Sequence, residues 1–426
     1  MTSTQHREPS RLESLVPIIA LVALLGISVF LYGGDSSYGP NQIALMVAAM
    51  VAAALGIRNG YRWKELEAGI VHGISLSTSA VLILLMVGAL IGTWILSGTV
   101  PTMIYYGLGI LSPDWFYPAA VIICAVVALA TGSSWTTAGT IGVALVGVAA
   151  VQGLNLGIAA GAIISGAYFG DKMSPLSDTT NLAPAMAGTD LFTHIRHMLW
   201  TTIPSVSIAL VIFSFLGLSG TSAADATEIA TMQQQIAEQF VVNPLVLLPV
   251  VLVIALVLFK MPAFPALFIG ALAGAAFAVF FQQEAVLTFV AEPDLGRGVA
   301  LLKGAWTALH GGFVLESGNA GLDDLLTRGG MVSMLNTVWL ILSAMTFGAV
   351  METTGMLQRI ANWILGAVRG TGSLIAATLG TAIGMNIIAS DQYMAIVLPG
   401  RMFRAEFERR NLAPENLSRT LEDSGT

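Results

Sequence analysis

Apolar runs of about 20 residues, the length a helix needs to cross roughly 30 Å of hydrocarbon, recur along almost the whole of this chain. They fall at 15–31, 43–57, 80–96, 116–130, 156–169 and 199–218, then at 245–260, 263–281, 331–351, 360–368 and 374–398. A backbone in lipid must satisfy its own hydrogen bonds, and helices do so within each segment. Charged residues make up only 10% of the 426 positions, against roughly 25% in a soluble globular domain, and hydrophobic residues 55%. The pattern predicts an all-α polytopic membrane protein in a single membrane domain over 1–426. It would have roughly ten to twelve transmembrane segments, some broken and some re-entrant.

The first run follows a polar N-terminus and lacks a small-residue cleavage site, so it reads as a retained helix. Arg7 and Arg11 precede it, and Arg58, Arg62 and Lys64 follow the second run, which places both ends of that pair on the cytoplasmic side. Arg401, Arg404, Arg409 and Arg410 form another cytoplasmic-type cluster. Two polar linkers interrupt the runs. The segment 219–243, containing ATEIATMQQQIAEQF without Lys or Arg, suits a short surface helix on the outer side. The mixed segment 282–330 suits interfacial helices. A net charge of −7 argues against nucleic acid, and the single cysteine, Cys124, builds neither a disulfide framework nor a thiolate metal site.

Two distant regions resemble each other. GTWILSGTVPTMI around Gly98 matches GAVMETTGMLQRI around Gly355. GSSWTTAGTIG from Gly132 matches IASDQYMAIVLPG from Ile388, with Trp135 opposite Asp391. SPLSDTTN from Ser174 matches RTLEDSGT from Arg419, with Asp178 opposite Asp423. The offsets are 257, 256 and 245. Three matches in one order predict two repeats, 80–217 and an incomplete 331–426, in which interrupted helices expose backbone polar groups at mid-membrane. The competing explanation, that small residues only let helices approach closely, accounts for any single break better than for three in register.

A charge in the bilayer interior costs about 2.5–3.5 kcal/mol even on the lenient scale, so carboxylates at these breaks need a reason. Asp178, Glu352, Asp391 and Asp423 all lie at breaks or matched segments. Hard cations take oxygen ligands, which Asp178, Thr179, Thr180 and Asn181 offer in one cluster and Asn386, Ser390, Asp391 and Gln392 in another, with Ser133 and Ser134 at the first break. A carboxylate that is either ionised and holding Na+ or protonated and empty couples two fluxes by competition. The unmatched acids Glu352 and Asp391 are expected to carry the proton, and Asp178 and Asp423 to shape the ion site, with Na+ held at Asp178 and Asp391. Asp171 and Lys172 read as a solvated cap or topology signal, and His194 and His197 as an interfacial basic cluster rather than a metal pair. Phosphate-loop, serine-hydrolase and zinc-protease motifs are absent, which argues against ATP-driven pumping and enzymatic chemistry.

The segment FGDKMSPLSDTTNLAP, at 169–184, resembles the NhaC-type Na+/H+ antiporter family of the ion transporter superfamily. ATGSSWTTAGTIG, LTRGGM and NLSRTLEDSGT extend the resemblance over nearly the whole chain. It implies an inverted-repeat antiporter fold, Na+/H+ exchange without a cofactor, and a multi-pass location in a bacterial inner membrane. The expected partners are the bilayer, Na+ and H+, with a homo-oligomer allowed. The family pattern continues past LEDSGT into a further break and helix, so the second repeat is expected to be cut short here. The same resemblance covers exchangers of malate, lactate and other organic anions. A dedicated Arg facing the cavity would favour that alternative, and Arg359 and Arg369 are the candidates.

Overall fold

A computed structural model describes residues 6–218, 226–366, 368–389 and 392–426. Its described residues are helical apart from turns and one isolated bridge between Phe313 and Arg328. Among the described residues eight helices are long and apolar enough to cross a membrane, or nine if the bent pair Thr227–Gln239 and Pro244–Leu258 forms one span. The fuller expected count included runs that fold as Leu156–Met173, polar at its C-terminal end, and Thr371–Ala389, a shorter apolar helix. Large apolar side chains lie on the outside of Leu191–Leu218, with Trp200 77% and Phe215 68% exposed. A soluble monomer rarely presents such a surface, whereas lipid receives it without cost. The chain is a multi-pass membrane protein.

The chain forms two compact units. One comprises 82–180 and 198–335. Its core is built around Trp94, Phe116, Leu90 and Ile104, all essentially buried. The Trp94 indole donates to the Gly270 carbonyl at 3.0 Å, satisfying the one polar atom that this burial would strand. Glycines let helices within this unit approach backbone to backbone. A Cβ on Gly166 would lie 2.2 Å from the Val121 carbonyl oxygen, and one on Gly170 2.4 Å from that of Ala125. Helices Phe116–Thr131 and Leu156–Met173 therefore meet along a G-x-x-x-G seam. The 282–330 linker forms the helices Gln283–Val290, Arg297–Gly311 and Ala320–Leu326, and the Ala226–Gln239 helix occupies the described part of 219–243.

The other unit comprises 1–81, 181–197 and 336–426. Arg11–Tyr32 starts in a capping box, in which Glu13 N–H donates to Ser10 Oγ and Ser10 N–H to the Glu13 carboxylate. His6 stacks on Tyr61 with ring centroids 4.0 Å apart, and the Arg7 amide donates to the Asn59 carbonyl at 3.0 Å, tying the chain start to the turn after Pro40–Arg58. Gly69 and Gly73 lie against Thr353 and Ala349 of Leu335–Thr353. Thr371–Ala389, Gln392–Arg409 and Pro414–Gly425 enclose Leu374, Phe403, Phe407 and Leu421.

The sequence matches have local counterparts of differing quality. Gly98 and Gly355 both adopt left-handed backbone, φ +75° and +71°, and each separates a longer helix from a shorter one. Only glycine takes this conformation without strain, so the shared glycine marks a shared break. Gly132, at φ +68°, ends Phe116–Thr131 in the same way. In the segment matched to this break, which starts at Ile388, Ser390 and Asp391 lie outside the described residues. Asp178 opens the helix Asp178–Ala187, whereas Asp423 sits in the last turn of Pro414–Gly425, so these two matched acids occupy different local structures.

Candidate ion site at a broken helix

Left-handed Gly132 stops one helix, and Ser133, extended, caps the next by accepting the Thr136 amide on its Oγ at 3.2 Å. The new segment Ser134–Thr137 passes through a π-helical stretch, Ala138–Gly142, into Val143–Val151. π-Turns of this kind recur at functional positions. A Cβ on Gly132 would come within 2.7 Å of the Leu176 backbone, so the break is closed against the turn that follows Leu156–Met173.

Polar side chains converge where the break meets this turn. The Asp171 carboxylate, only 5% exposed, accepts both the Ser134 amide (3.0 Å) and the Ser134 hydroxyl (2.6 Å). Ser177 is a further hydroxyl partner of that carboxylate, and Asp178 is close enough for its charge to act on it. Thr180 Oγ1 donates to the carbonyls of Asp171 (3.1 Å) and Lys172 (3.2 Å), filling acceptors left open at a helix C-terminus. Ser174 Oγ donates to the Leu129 carbonyl at 2.8 Å, and the Ser177 and Thr179 hydroxyls lie 3.1 Å apart. Thr179 and Thr180 are buried, Ser133 is half-buried, and Asp178 is exposed at the rim. Asp171 therefore is not the solvated cap read from the sequence. Its signal, an acid beside a lysine at a helix end, also fits a topology marker, and its partner Ser134 lies 37 residues away. The structure gathers Ser133, Ser134, Asp178, Thr179 and Thr180, together with Asp171, into one oxygen-rich region. Asn181, next in sequence, is assigned to the other unit.

In that other unit, Asn386 donates to the carbonyls of Ser424 and Gly425, both at 3.0 Å, so one expected ligand is engaged with the end of the Pro414–Gly425 helix. Asp423 is half-buried beside fully buried Glu422, whose carboxylate accepts the Thr426 hydroxyl at 2.9 Å. Glu352, in the last turn of Leu335–Thr353, is exposed and within electrostatic reach of His72 and Arg401. His194, expected at an interface, is instead fully buried, its Nδ1 2.9 Å from Ser418 Oγ. Of the two arginines expected for an anion site, one is ion-paired and the other is exposed. Arg359 pairs with Glu8 at 3.7 Å, and exposed Arg369 has its amide capped by Ser373 Oγ at 3.0 Å.

Residues 166–426 match the profile of the Na+/H+ antiporter family. The chain is 40% identical over 385 residues to the Na+/H+ antiporter NhaC of Alkalihalophilus pseudofirmus, covering 90% of this chain and 80% of that protein. It is 38% identical to the malate-2H+/Na+-lactate antiporter of Bacillus subtilis, covering 99% and 86% respectively. It is 36% identical to the arginine/ornithine antiporter ArcD of Halobacterium salinarum, covering 99% and 83%.

Proposed function

The chain belongs to the Na+/H+ antiporter family, and on that premise we propose that it is a secondary transporter exchanging Na+ for H+ across a bacterial inner membrane. The observation that carries the reading to particular residues is the broken helix at Gly132, where hydroxyl and carboxylate oxygens from 133–134 and 171–180 face one another. Such a set suits a hard monovalent cation. Ser133, Ser134, Asp178, Thr179 and Thr180 supply its oxygens. Asn181, Asn386, Ser390, Asp391 and Asp423 are further ion-binding residues of the proposal by residue type and place in the sequence, with Asp178 and Asp391 as the carboxylates that bind Na+. Glu352 and Asp391 carry the proton. The matched breaks at Gly98 and Gly355 support an inverted repeat, with alternating access produced by one half moving against a fixed site.

Identity alone separates ion exchange from organic-anion exchange poorly, because relatives of both kinds lie between 36% and 40%. The pairing of Arg359 with Glu8 and the exposure of Arg369 favour the cation reading. In proteoliposomes holding a pH gradient, a Na+ pulse alone should collapse the gradient. Collapse only on addition of malate, lactate or an amino acid would overturn the assignment.

A further inference from the structure

Asp171 is held in a way that no simple cap requires. Its carboxylate takes two donors from Ser134, at the start of the span that follows the Gly132 break, while its own carbonyl accepts Thr180 Oγ1 and the Ser174 amide (3.0 Å). One residue thus joins the N-terminal end of one helix to the C-terminal end of another and to the turn carrying Asp178. The helix ends alone would not fix this arrangement. The Ser134 amide is one of the orphan donors that a helix start leaves open, and a charged acceptor is the strongest partner for it. The 5% exposure of Asp171 excludes the water that would otherwise compete for these bonds. Gly132 and Gly170, which admit no Cβ, bring the backbones close enough for the carboxylate to reach.

The geometry points to Asp171 as a positioning residue for the ion site. It sets the spacing between the Ser133–Ser134 oxygens and those of Asp178–Thr180, and so fixes the affinity for Na+ rather than the rate at which the loaded carrier turns over. This inference rests on the placement of the ion site at the Gly132 break. Lys172, next in the chain, and Asp178 are the charged groups nearest to it in sequence, and Asp178 acts on it electrostatically.

The test compares Asp171→Asn, Asp171→Ala and Ser134→Ala in two readouts. Hydrogen exchange of a peptide covering 132–140, in the detergent-solubilised protein, reads the Ser134 amide directly. It should accelerate by about tenfold in Asp171→Ala, the scale expected for losing a buried bond to a charged acceptor, and by less in Asp171→Asn, which keeps one acceptor. In proteoliposomes, the apparent KM for Na+ should rise in the same order while the maximal rate stays within about twofold, and Ser134→Ala, which removes a site oxygen as well as a partner of Asp171, should raise it further in the Asp171→Ala background. Unchanged exchange over 132–140, or a maximal rate that collapses while KM holds, would overturn the proposal. If Asp171→Ala does not fold, Asp171→Asn decides by the same two criteria. If the wild-type protein moves no protons on addition of Na+, the transport assignment fails, and the hydrogen-exchange comparison still decides whether Asp171 holds the break.

Discussion

Asp178 and Asp171 stand seven residues apart and are held differently. Asp178 is exposed at the start of a helix, whereas Asp171 is buried and bonded through both its carboxylate and its carbonyl. Asp178→Asn should therefore abolish Na+-dependent proton movement while leaving the thermal unfolding midpoint within about 2 °C of wild type, measured in detergent. A large loss of stability would instead make Asp178 structural. The acidic and hydroxyl cluster 178–180 was legible in the sequence because its members are consecutive. The role of Asp171 was not, since burial and a partner 37 residues distant are properties of the folded chain. Asn386 shows the same limit from another side. Its residue type suggested a ligand oxygen, and the bonds from its Nδ2 to the carbonyls of Ser424 and Gly425 are a tertiary contact that no sequence pattern announces.

At the scale of helices, the breaks are set by glycine and the seams by small residues. A Cβ at Gly132 meets both left-handed strain and the Leu176 backbone, whereas at Gly355 it meets strain alone, with nothing within 4 Å. Left-handed strain costs roughly 1–2 kcal/mol and overpacking about 1–3 kcal/mol more, so Gly132→Ala should lower stability more than Gly355→Ala in paired unfolding measurements. Gly170→Val should fail more severely, because the added atoms would enter the backbone of Phe116–Thr131. A tolerated Gly170→Val would refute the close seam. Helix positions and the Gly98 and Gly355 breaks followed from apolar runs and punctuating glycines. Among the described residues, Leu156–Met173 and Thr371–Ala389 are too polar or too short to be counted as spans by length and hydropathy, though both pack in the units.

Over the whole molecule, charge lies mainly at chain segments outside the apolar helices, and some of it can be set aside when transport is assigned. The Arg409 and Arg410 guanidiniums hold the Glu406 carboxyl down to about 2 from its ordinary 4.5. Because its folded value is depressed, the contribution of this clamp is fully present above 4.5 and is lost only as pH falls toward about 2. Glu406 stays ionised wherever exchange is measured, so Glu406→Gln should leave the midpoint of the transport pH profile within about half a unit of wild type. A larger shift would place Glu406 in the proton path. The central claim is that Na+ binding, which requires Asp178, displaces the proton carried by Glu352 and Asp391. The most direct measurement is proton release on mixing the purified, weakly buffered protein with Na+, followed by a pH-sensitive dye. The account predicts release in the wild type, none with K+ at equal ionic strength, and none in Asp178→Asn. Na+ binding without proton release in the wild type would contradict it.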